Sequence, residues 1–141
     1  MLALRRGLIP AICSVVFCQA AVASQQTPED LAQLWIDAIK ANSTTQILPL
    51  IHPACPKGSI APAILARMVE GGMPEKYEIE TKDLGPPAEL EKIYAIAPDK
   101  QLSIRFKGET PEEKARYGLG KGFPIARMSG EWFFVICTKP V

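Results

Sequence analysis

The stretch that most constrains this chain is a Ser-Gly dipeptide set between two apolar runs. Residues 122–139 read Gly-Phe-Pro-Ile-Ala-Arg-Met-Ser-Gly-Glu-Trp-Phe-Phe-Val-Ile-Cys-Thr-Lys. Glycine accepts positive φ without steric cost, so Ser129-Gly130 predicts the two-residue loop of a hairpin. With that loop, Arg127 faces Trp132, Ile125 faces Phe134 and Phe123 faces Ile136. Phe133, Val135 and Cys137 then share the other face with Ala126 and Met128. Both faces are largely apolar, which predicts cover on both sides and a central place in a sheet.

The other end of the chain reads as a targeting segment. Arg5 and Arg6 precede an apolar run from Gly7 to about Ala23, and Ala21-Val22-Ala23 is a small-x-small site before polar Ser24-Gln25-Gln26. That pattern predicts a secretory signal peptide over 1–23, cleaved between Ala23 and Ser24. Two rivals fit less well. An uncleaved anchor would be short and would contain Pro10 and Gln19. Lipidation at Cys18 would place bulky Phe17 where a small residue is needed. The expected mature chain, 24–141, is one domain of 118 residues. It should lie in the periplasm or be secreted, with no membrane association after cleavage.

Charge and cysteines agree with export. Without Arg5 and Arg6, the 16 Lys and Arg fall to 14, against 15 Asp and Glu. A near-neutral chain lacks the basic surface that a general nucleic-acid binder needs. Lys107, Lys114, Arg116 and Lys121 are interleaved with Glu109, Glu112 and Glu113 and read as a solvated, mixed-charge face. Of the four cysteines, Cys55 and Cys137 remain after cleavage. An even pair in an oxidising compartment predicts a Cys55–Cys137 disulfide; two buried free thiols are the alternative.

Between these ends, helices come first and strands follow. Thr27-Pro28-Glu29-Asp30 is a helix start, and Leu31, Leu34, Trp35, Ala38 and Ile39 form one apolar stripe, predicting a helix over about 28–41. Ile47, Leu48, Leu50 and Ile51 form an apolar patch in which Pro49 limits any helix to a turn or two. A further helix is expected over about 60–70, with Ser59 near its start and Gly71-Gly72 as its stop. Residues 77–82, 92–97 and 102–107 read as strands, the last with the clearest alternation. Thr110-Pro111-Glu112-Glu113 opens a short helix closed by Gly118. The fold class is α+β, with N-terminal helices packed on a curved antiparallel sheet that ends in a long hairpin.

Trp35-x-x-Ala38, the run from Leu48 to Pro53 and the closing hairpin with Gly130-x-Trp132 carry a family resemblance. Over most of residues 28–138 the chain resembles the nuclear transport factor 2-like group of cone-shaped α+β domains. The cystatin-like fold is the near alternative. The resemblance implies a cone with an internal cavity. The group includes isomerases, dehydratases, small-ligand binders and interaction modules, so fold does not settle function.

Enzymes of such a cone need an inward-facing acid or base. The inward positions of the predicted strands read Leu102, Ile104 and Phe106, with Tyr77 and Ile79, and no catalytic residue is assigned. His52, the single histidine, is a weak candidate for a general base or metal ligand. Its structural reading is a ring donating to a backbone carbonyl. One histidine with no ligand-spaced neighbour makes a poor metal site, and no metal or cofactor is expected. Trp35, Tyr77, Tyr94, Phe106, Trp132 and Phe134 are candidates either for pocket lining or for plain core. The expectation is an exported, non-enzymatic domain that binds a small apolar ligand or a protein partner, with homodimerisation through the outer hairpin face as one route. The alternatives are a lyase or isomerase using the cone cavity, and a cystatin-like inhibitor or interaction module.

Overall fold

Thr27 sets where the fold begins. Its hydroxyl accepts from the Asp30 amide, and the Asp30 carboxylate accepts from the Thr27 amide, a reciprocal capping box. Pro28 occupies the first helical position, where a missing N–H costs nothing. The helix α1, Pro28–Ala41, ends where Asn42 turns left-handed. Its buried face is wider than the predicted stripe and includes Ala32 and Ile36.

The computed structural model describes residues 24–139. The expected signal segment, residues 1–23, lies outside the described residues. After α1 come α2, Thr44–Ile47, and a 3-10 turn, Leu48–Leu50, so Pro49 does restrict this region to short turns. Ile47, Leu50 and Ile51 are buried, but Leu48 is 48% exposed and leaves the predicted patch. The helix α3 is Pro62–Val69. It starts later than expected, because Pro62 supplies the first helical position while Ser59 sits in a preceding 3-10 turn.

The sheet has four strands in the order β1-β2-β3-β4, all antiparallel. They are β1, Tyr77–Asp83; β2, Lys100–Phe106; β3, Gly120–Met128; and β4, Glu131–Phe134. The fold is therefore α+β, with N-terminal helices against an antiparallel sheet that closes in the β3–β4 hairpin. Ile79 opposite Ile104 and Leu102 opposite Phe123 lie on the helix side, whereas Glu78 opposite Arg105 lies on the other. The hairpin register is as predicted at Arg127–Trp132 and Ile125–Phe134.

Three expectations are corrected. Residues 92–97 are not a strand. The helix α4, Pro87–Ile93, takes the first two of them, and Tyr94 alone among the rest makes an isolated bridge, to Thr138. Pro87 is the first helical residue of α4. The hairpin is not central either, because β4 ends the sheet. Its outer edge is covered: the Trp132 amide donates to the Gln25 carbonyl at 2.8 Å, and the His52 amide to the Phe134 carbonyl at 2.9 Å. Finally, Phe123 does not pair with Ile136, for a reason given below. The capped helix α5, Pro111–Tyr117, joins β2 to β3 as expected and is closed by Gly118.

Cys55 and Cys137 are joined, with Cα atoms 5.6 Å apart across 82 residues. A bond closing so long a loop removes much unfolded-state entropy, at most about 4–5 kcal/mol in the chain-entropy model. Replacing both cysteines with alanine should therefore lower unfolding stability by up to that amount in a denaturant titration. Unchanged stability would contradict this account of the bond.

Candidate functional site

Pro124 stops the closing ladder. Its carbonyl accepts from the Val135 amide at 2.9 Å, so this residue's hydrogen-bonding side faces the chain after β4. On that side proline has no N–H to donate. The β3–β4 pairing ends at Phe134, and residues 135–139 leave the sheet. They pair with the end of α4 instead. The Ala95 amide donates to the Cys137 carbonyl at 3.1 Å, and the Lys139 amide to the Ile93 carbonyl at 2.9 Å. The disulfide fixes the departing chain to Cys55.

A cleft of about 210 Å³ opens where the strands part. Phe123, Pro124, Val135 and Ile136 form its strand walls, Ile64 and Arg67 reach it from α3, and Tyr94 closes one side. Its lining is mainly apolar, and Arg67 and Tyr94 are the lining residues with polar side chains. The reading of the hairpin as fully paired hid this cleft from the sequence. The legible signal was Pro124 inside an otherwise regular strand pattern.

The aromatic candidates do not converge there. Tyr94 lines the cleft. Trp35 and Phe134 are fully buried in the core with ring centroids 5.0 Å apart, and the Trp35 indole donates to the Met68 carbonyl at 2.8 Å. Phe106 packs edge-on against Tyr117, which is on α5. Trp132 is buried near the hairpin turn and Tyr77 is half-buried at the start of β1. Phe123, which sequence reasoning did not single out, spans both environments, lining the cleft and packing edge-on against Trp35 and Phe134.

His52 is buried beneath the other side of the closing chain. Its Nδ1 accepts from the Ala54 amide at 3.1 Å, and its ring lies edge-on to Phe133. The ring thus accepts a backbone hydrogen bond rather than donating one, which requires the neutral form with the proton on Nε2. Cys55 beside it is held in the disulfide. Among the described residues, no group of three or more His, Cys, Asp or Glu is placed to hold a metal ion.

Lys121 corrects another expectation. It is not part of a solvated face. It lies opposite Ile104 on the helix side of the sheet and is half-buried, with Nζ donating to the Arg67 carbonyl at 2.8 Å. Burial pushes its pKa below the ordinary lysine range; Glu70 acts against this and Arg67 with it. Of the outer hairpin residues considered for dimerisation, Ala126, Phe133 and Val135 are already covered within the chain, and Met128 is exposed.

No protein-family model matches the chain, and neither curated proteins nor solved structures give a significant match. Among the described residues, no helix is long and apolar enough to cross a membrane. The disulfide points to an oxidising compartment.

Burial lowers the His52 pKa below the ordinary imidazole value of 6.5, with the Asp99 charge opposing part of the shift. Below 6.5 the unfolded chain therefore takes up a proton more readily than the folded one. Unfolding stability should be full above that pH and fall as pH drops toward and through the folded value. His52→Asn keeps an acceptor for the Ala54 amide but does not titrate, so its denaturant midpoint should lose this component of the pH dependence. Identical pH profiles for the two proteins would refute the assignment.

Proposed function

We propose that this is an exported nuclear transport factor 2-like domain that binds a small, largely apolar ligand without chemical transformation. The observation that carries the reading is the cleft beside Pro124, walled by Ile64, Tyr94, Phe123, Val135 and Ile136. Concave apolar sites with a few convergent polar groups are the usual form of small-ligand sites. Here the polar groups are Arg67 and Tyr94. The helix-then-sheet order supports the family reading, and the disulfide supports export.

The helix-facing strand positions favour binding over catalysis. They read Tyr77, Ile79, Thr81 and Asp83; Lys100, Leu102, Ile104 and Phe106; Lys121, Phe123, Ile125 and Arg127; and Trp132 and Phe134. The set's one carboxylate, Asp83, is exposed at the strand end, is paired with Lys100 and does not line the cleft. Of its half-buried cations, Lys100 is paired with Asp83 and the Lys121 Nζ is engaged with a helix carbonyl.

Octanol is a suitable neutral probe. At roughly ten times its Kd it should stabilise the protein by about 1.4 kcal/mol, a rise in Tm of roughly 4 °C or more. Ile64→Trp should fill the cleft from α3 and abolish that rise relative to its own ligand-free Tm. Equal shifts in the two proteins would place octanol elsewhere and contradict the reading.

A further inference from the structure

The apolar cleft has a polar neighbour. A second cleft, of about 240 Å³, is lined by Arg67, Glu70, Gly120, Lys121, Gly122 and Phe123. Arg67, Gly122 and Phe123 line both. The two therefore adjoin, one end apolar and the other charged.

The charges at the polar end do not balance. Arg67 is exposed and forms no salt bridge among the described residues. Lys121 approaches from β3 and spends one of its three ammonium protons on the Arg67 carbonyl. Glu70 is the one carboxylate in the lining, so two cations face one anion.

Two glycines of β3, Gly120 and Gly122, also border this end. A Cβ at Gly122 would lie 2.8 Å from Gln101 Nε2 and 2.9 Å from Ser103 Oγ. One at Gly120, where φ is +128°, would lie 2.1 Å from the Ile104 carbonyl oxygen. Glycine is thus required at Gly120, where the clash is with backbone, whereas at Gly122 the nearest atoms are side-chain ends that can move.

We infer that the ligand is an amphiphile with a carboxylate head. Its chain occupies the cleft between Ile64, Phe123 and Ile136, and its head meets the Arg67 guanidinium at the junction, with Lys121 adding positive potential. A planar guanidinium matches a carboxylate with two parallel hydrogen bonds, which a hydroxyl or an ammonium cannot reproduce. This inference rests on the reading of the apolar cleft as a ligand site.

Octanoate, octanol and octylamine share one chain length and differ in the head, so their Kd values by calorimetric titration separate the two ideas. Octanoate should bind about five- to tenfold more tightly than octanol, and octylamine more weakly than either. Arg67→Gln should bring octanoate to within about twofold of octanol, while Lys57→Gln, a charge removed elsewhere on the surface, should leave the preference intact. Equal binding of octanoate and octanol to the wild type would overturn the carboxylate inference and leave the cleft reading standing. So would a preference that survives Arg67→Gln. Binding of none of the three would overturn both.

Discussion

The C-terminal end of α3 is held by two side chains from elsewhere in the fold, and the position of the site depends on them. The last turn of a helix leaves carbonyls without intrahelical partners. Here the Trp35 indole, from α1, donates to the Met68 carbonyl, and the Lys121 ammonium, from β3, donates to the Arg67 carbonyl. Each bond serves both partners. A buried indole N–H left unpaired would cost about 1–3 kcal/mol, and a lysine at a helix C-terminus also suits the dipole. Trp35 meanwhile packs edge-on against Phe123 and Phe134. One aromatic side chain therefore joins α1, α3 and the closing hairpin, and sets Ile64 and Arg67 over the end of β3.

The second constraint acts on the strand opposite. Pro124 keeps its place between β2 and β4 because its missing donor faces the side where pairing can be given up. The chain after Phe134 then finds other partners: Ile93 and Ala95 through the backbone, and Cys55 through sulfur. A fully paired hairpin would bring residues 135–136 against β3 and leave no cleft. In this fold the disulfide and the proline act on the same segment, the first holding it away and the second removing the bond that would draw it back.

Much of this was legible locally. Thr27-Pro28 with its apolar stripe gave α1, Thr110-Pro111 gave α5, and Ser129-Gly130 gave the hairpin register, because capping and turn chemistry act over a few residues. The cysteine pair also followed from an even count and an expected oxidising compartment. What failed was period assignment over a short window. Residues 92–97 alternate weakly, but Pro87, Glu89 and Leu90 make a competent helical turn that ends at Ile93, 55% exposed. Lys121 was misplaced because it was grouped with the charged run that ends at Arg116. Only the β2–β3 register turns it toward α3, and register across the 13 residues that join Phe106 to Gly120 is not a local property. The cleft is tertiary in the same sense, since its walls come from α3, the end of α4, β3 and the departing chain.

The central claim is that the space beside Pro124 receives the apolar part of a ligand. Isotope-filtered NMR on labelled protein with unlabelled octanoate tests it most directly. The account predicts nuclear Overhauser contacts from the octanoate chain to the Ile64, Val135 and Ile136 methyls and to the Phe123 and Tyr94 rings. Contacts confined to the exposed Leu48 or Leu119 side chains, with none at those five residues, would contradict it.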